Sequence, residues 1–114
     1  MNYDKAYELA EEIKASPEYE RFRAARAAIP EGSPCDNLLK EYKRLELRAQ
    51  AASVAGENDR ETLEKLAKFG ELLQMDKAAS EYLIAEYMLS RSLGDIYRIL
   101  AGAAGLDLGP IGEN

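Results

Sequence analysis

Along most of the chain, apolar residues recur three and four positions apart, the spacing that places them on one face of a helix. The longest such stretch, residues 77–104, reads KAASEYLIAEYMLSRSLGDIYRILAGAA and contains no proline. Its main stripe is Tyr82, Leu89, Leu93, Ile96, Leu100 and Ala103, flanked by a second stripe of Leu83, Tyr87 and Tyr97 and a third of Ala85, Met88 and Ile99. A helix of this length measures roughly 40 Å at about 1.5 Å rise per residue. A compact domain formed by a chain of this size is only roughly 34 Å across. The helix is as long as its own domain and apolar on more than one side, which predicts a partner.

Four shorter helices precede it. The first spans residues 3–15, with Tyr3, Ala6, Tyr7, Ala10 and Ile13 on its inward face. Ser16-Pro17-Glu18 then provides a capping hydroxyl, a first-turn proline and a carboxylate suited to a helix start. The second helix, residues 17–29, presents Tyr19, Phe22, Ala25 and Ile29 inward and Arg21, Arg23 and Arg26 outward. Pro30-Glu31-Gly32-Ser33-Pro34 interrupts the pattern. The third helix, residues 35–55, aligns Leu38, Tyr42, Leu45, Ala49 and Ala52, and Gly56 closes it. After the loop Glu57-Asn58-Asp59, the fourth helix aligns Leu63, Leu66, Gly70 and Leu73, and Asp76 caps the fifth. The expected fold is all-α: five helices in a bundle with a long C-terminal helix, dimeric, as one domain over residues 1–104 with a flexible tail over 105–114. A faint internal echo lays Ile13-Lys-Ala-Ser16 over Leu73-Gln-Met-Asp76, each a helix, a cap and a second helix.

Composition narrows the chemistry. Apolar residues make up 46% of the 114, enough to build a core, and the net charge is −6. An acidic balance argues against strong nucleic-acid binding, because phosphate neutralisation needs a basic surface. The chain has no histidine, so imidazole metal sites and histidine acid–base chemistry are excluded. One cysteine, Cys35, allows no internal disulfide. There is no apolar run of about 18 residues to span a membrane and no signal-peptide pattern, so a cytoplasmic location is expected.

The candidate sites are few. Glu11-Glu12 and Glu18/Glu20 do not converge on one helix face and read as solvated carboxylates. Glu86 lies in the main stripe of the long helix. There it accepts a tyrosine hydroxyl, pairs with an arginine across an interface, or marks a wet edge. Cys35 follows Pro34 at a helix start and reads as a small half-buried side chain rather than a nucleophile. Arg21, Arg23 and Arg26, with Lys40, Lys43, Arg44 and Arg48, form the only basic concentration, diluted by Glu20, Glu41 and Glu46. Tyr7, Tyr19 and Tyr42 are expected in the core, and Tyr87 and Tyr97 at an interface. No set of residues forms a catalytic, cofactor-binding or metal-binding constellation. The expected interface is Tyr82, Glu86, Tyr87, Leu89, Leu93, Ile96, Tyr97 and Leu100.

Tyr3-Asp4-Lys5-Ala6-Tyr7-Glu8-Leu9-Ala10, followed by Ile13-Lys14-x-Ser16-x-Glu18-Tyr19, resembles the opening of the YlbF/YmcA family. Tyr82-Leu83-x-Ala85-Glu86 and Leu93-x-Asp95-Ile96-Tyr97 resemble its closing segment. The resemblance implies an all-helical, oligomer-forming bacterial regulator without catalytic residues. Founding members act in competence, sporulation and biofilm development, in a complex that influences messenger-RNA processing by ribonuclease Y. Some bear cysteines linked to an iron–sulfur cluster. This chain departs there, since one thiol per chain cannot supply four cluster ligands even in a dimer. The leading expectation is a non-enzymatic regulator or adaptor that acts by protein contact without a cofactor, as a homodimer or with a paralogue; the resemblance adds a ribonuclease-associated complex as a further expected partner. The alternative is an RNA-binding accessory subunit using the basic faces of helices two and three.

Overall fold

The computed structural model describes residues 1–106. These form five α-helices and no strand: α1 (Asp4–Lys14), α2 (Pro17–Ala27), α3 (Pro34–Val54), α4 (Arg60–Gln74) and α5 (Lys77–Ala104). The expected tail falls mostly on residues 107–114, outside the described residues. The chain divides into two compact units. Unit 1 comprises Met1–Arg26 with the chain from Tyr82 on, and unit 2 comprises Ala27–Glu81.

Unit 2 is built on α3 and α4. Leu39, Leu45 and Leu73 are buried, together with Ile29 ahead of α3 and Ala79 in the first turn of α5. Gly70 leaves room for Tyr42, whose hydroxyl oxygen would lie 3.8 Å from a Cβ placed there. Burial, aided by the charge of Glu46, pushes the Tyr42 phenol above its ordinary pKa. The ends of both helices are tied by side chains. Ser33 Oγ accepts the Asp36 N–H at 3.2 Å, and Asp36 Oδ2 accepts the Gly32 N–H at 2.8 Å. Ser33 is the N-cap, and the Asp36 carboxylate reaches back one residue beyond it, a variant of the capping box. It explains how a carboxylate only 1% exposed is tolerated, with Lys40 Nζ 3.0 Å away as counter-charge. At the start of α4, Asp59 accepts both the Thr62 hydroxyl (2.7 Å) and the Thr62 N–H (3.2 Å), and Arg48 of α3 reaches its carboxylate at 3.5 Å. These contacts, the Thr62 hydroxyl first, hold the Asp59 carboxyl below its ordinary pKa. The helix α3 ends on Gly56 at φ 74°, with Glu57 N–H donating to Ala52 O and Gly56 N–H to Ser53 O. Only glycine adopts that backbone at little cost.

Unit 1 is built on α1, α2 and the length of α5 from Tyr82. Tyr82 and Ala85 are its buried hydrophobic residues among those described. Leu9, Ile13, Tyr19, Phe22, Leu89, Leu93 and Ile96 are half-buried. Gly105, at φ 68°, ends α5 as Gly56 ends α3, with Leu106 N–H donating to Ala101 O.

Several sequence expectations need correction. Tyr7 is 73% exposed and Tyr3 is also exposed, so α1 does not turn its tyrosine face inward. The inward face is Leu9 and Ile13, roughly a third of a turn away at about 100° per residue. Leu63 of α4 is exposed as well. The second helix stops at Ala27, short of the expected Ile29, because a residue before proline is pushed out of helical geometry. The two echoed junctions are alike in detail. Ser16 N–H donates to Ile13 O and Asp76 N–H to Leu73 O, both at 3.1 Å. Ser16 Oγ caps the Tyr19 N–H at 3.2 Å, and Asp76 Oδ1 caps the Ala79 N–H at 2.9 Å.

Candidate interaction surface

The long helix of unit 1 is contacted by two short ones. From α2, the Phe22 ring lies 5.5 Å from the Tyr82 ring at 35°, and the Arg26 guanidinium stands 5.8 Å from the Tyr82 ring centroid. Arg21 Nη1 donates to Met88 Sδ at 3.1 Å. From α1, Leu9 and Ile13 face Leu89, Leu93 and Ile96 across an open hollow of about 190 Å³, edged by Glu12, Glu18, Ser16 and Ser92. The hollow is smaller than the usual range of about 300–1,000 Å³ for small-molecule sites.

The expected interface residues therefore fall into three groups. Tyr82, 7% exposed, is taken up by packing inside unit 1, and its hydroxyl donates to Glu86 Oε2 at 2.9 Å. Of the readings open for Glu86, the tyrosine acceptor is the one the structure displays. Leu89, Leu93 and Ile96 line the hollow against α1. Tyr87, Tyr97 and Leu100 remain exposed. The sequence pattern missed Ile84, which is exposed one position after the second stripe's Leu83. Met88 and Ile99, named only as a third stripe, are exposed too. With Tyr87 they give α5 an apolar outer face roughly opposite the stripe that meets α1. The signal for it was present as the third stripe, but a stripe alone does not say which side a short helix will cover.

The remaining candidates are ordinary in their surroundings. Cys35 is half-buried, with its thiol 3.8 Å from Asp76 Oδ1. Among the basic residues, Arg23 pairs with Glu20, Arg44 with Glu41, Lys40 with Asp36 and Arg48 with Asp59. Hydrogen bonding to Arg23 lowers the Glu20 pKa, and Arg44 does the same for Glu41. Among the described residues no group of three His, Cys, Asp or Glu side chains could hold a metal ion. Among the described residues no helix is long and apolar enough to cross a membrane.

Known proteins resemble this chain over nearly its whole length. A UPF0342 protein of Halothermothrix orenii is 34% identical over 113 residues, covering 98% of this chain and 93% of the relative. A UPF0342 protein of Symbiobacterium thermophilum is 33% identical, with 93% and 96% covered, and one of Clostridium tetani is 34% identical, with 93% and 92% covered. Residues 2–103 match the family described as "Control of competence regulator ComK, YlbF/YmcA". The five helices and the match along residues 2–103 identify the chain as a member of the YlbF/YmcA family.

Proposed function

We infer that this protein is a non-enzymatic regulatory adaptor that works by helix-mediated contact, with a second copy of itself or a paralogue as its first partner. The observation that carries the reading is the exposure of Ile84, Tyr87, Met88 and Ile99 on α5, with Tyr97 and Leu100 farther round the same helix. Large apolar side chains gathered on one helix of one unit are characteristic of a contact surface. The family's description as controlling a competence regulator supports a regulatory role. A role alongside ribonuclease Y in messenger-RNA processing, and in sporulation or biofilm development, extends the same proposal from the family resemblance.

The test is genetic complementation. In a strain lacking the gene, the wild type restores regulated competence, whereas Tyr87→Glu, checked for native helicity, does not. Full restoration by a folded Tyr87→Glu/Ile99→Glu variant would remove the contact reading. The RNA-binding alternative gains no support, because several of its basic side chains are already paired with carboxylates. Salt-sensitive binding in an RNA anisotropy titration would restore it.

A further inference from the structure

The outer face of α5 carries an order that its own chain uses only in part, through Arg21 on Met88 and the Asp95–Arg98 pair. Ile84, Met88, Arg91, Asp95, Arg98 and Gly102 follow one another at steps of four, three, four, three and four residues. All are exposed, and the steps read the same in both directions. The charges at the centre are of opposite sign, Arg91 on one side of the midpoint and Asp95 on the other.

We propose that this face pairs with the same face of a second copy, antiparallel, with the two-fold axis at the level midway between Arg91 and Asp95. This rests on the reading of a second copy as partner and adds its register. In that arrangement Arg91 of each copy meets Asp95 of the other, twice over by symmetry. Asp95 already pairs with Arg98 of its own helix, and a carboxylate accepts from both guanidiniums at once. Ile84 meets Gly102 of the second copy. A Cβ at Gly102 would find nothing within 4 Å in its own chain, so the second backbone can approach there. On one flank Tyr87 lies beside the Arg98 stem of the other copy, and on the other flank Met88 lies beside Ile99. Four exposed apolar side chains of α5 are covered by this one contact. A parallel pairing in register would instead stack Arg91 on Arg91 and Asp95 on Asp95, which like-charge repulsion disfavours. A partner of a single charge sign would not match a face that carries both.

The test is a charge exchange read by sedimentation equilibrium, with helicity followed by circular dichroism. Arg91→Glu alone and Asp95→Arg alone each create two like-charge contacts and should weaken self-association by about tenfold or more. Mixed one to one, the two variants should form a heterodimer close to wild-type affinity, since each new charge then meets its opposite. Charge pairs within each helix do not change on mixing, so recovery reports the contact between chains. As a second measurement, Ile84→Cys and Gly102→Cys chains, both carrying Cys35→Ser, should form a mixed disulfide under mild oxidation. A wild-type dimer whose association neither exchange weakens would overturn this register and leave the self-association reading standing. So would failure of the mixture to recover, or dominant self-linking of the Ile84→Cys chain. A monomeric wild type would overturn both.

Discussion

Unit 2 seals a leucine core between two long helices, although Leu47, Val54, Leu63 and Leu72 stay exposed on them, whereas unit 1 leaves much of its longest helix uncovered. In unit 2, α3 of 21 residues runs against α4 of 15, and Leu39, Leu45 and Leu73 are sealed between them. Asp36 and Asp59 are each held by backbone N–H groups at a helix start. In unit 1, α1 and α2 have 11 residues each, roughly 16 Å apiece, beside an α5 that continues well past them. The two units use the same kinds of residue and similar capping junctions. They differ in how much of the longest helix its own neighbours can reach. Burial in a helical protein is limited by the lengths of the shorter helices, and what a long helix cannot bury at home is available for another chain.

The first way to sharpen this contrast is to cut into the sealed side. Leu73→Ala removes a side chain with 0% exposure and should cost about 2–5 kcal/mol of stability in urea unfolding. A loss under about 1 kcal/mol would mean that unit 2 is looser than its packing indicates. Next come the two matched junctions. Ser16→Ala in unit 1 and Asp76→Ala in unit 2 should each cost about 1 kcal/mol, since each removes one cap from a helix start. Very unequal losses would show that the local likeness does not extend to energetics.

A smaller, pH-dependent effect belongs to Asp59. Its folded-state pKa is depressed, so its contribution is present above the unfolded value of about 4 and is lost as pH falls through the lower folded value. The wild type should therefore lose more stability than Asp59→Asn on acidification from about pH 5 to about pH 2, measured by urea midpoints. Equal losses would remove Asp59 as a contributor. Smallest of all is the expected effect on the stability of the single chain from Ile84→Ser or Ile99→Ser, within about 0.5 kcal/mol, because both side chains stand in solvent there. If either costs as much as Leu73→Ala under dissociating conditions, the face is part of a core and not a surface.

The order of helices was legible because their ends are chemically marked. Ser16, Ser33, Asp59 and Asp76 start helices, and Gly56 and Gly105 end them. The bounds of α5 follow directly from Asp76 and Gly105. Facing was harder to read. On α1 both Tyr3/Tyr7 and Leu9/Ile13 offer an apolar face, and only the tertiary neighbours decide that the leucine side is covered. The same ambiguity holds on α5, where Leu89, Leu93 and Ile96 of the expected interface line the hollow against α1. Buried Asp36 was missed because a carboxylate normally reads as solvent-facing. The spacing Ser33-x-x-Asp36 before an apolar run was the signal that could have found it. No pattern in one chain states what would cover the outer face of α5, because any cover there is the property of another molecule.

Sedimentation equilibrium of the wild type and of Ile84→Ser/Ile99→Ser at micromolar concentrations tests the central claim most directly. The account predicts twice the 12.7 kDa chain mass for the wild type and the single-chain mass for a fully helical double variant. A wild type that sediments at 12.7 kDa throughout, or a double variant as dimeric as the wild type, would contradict it.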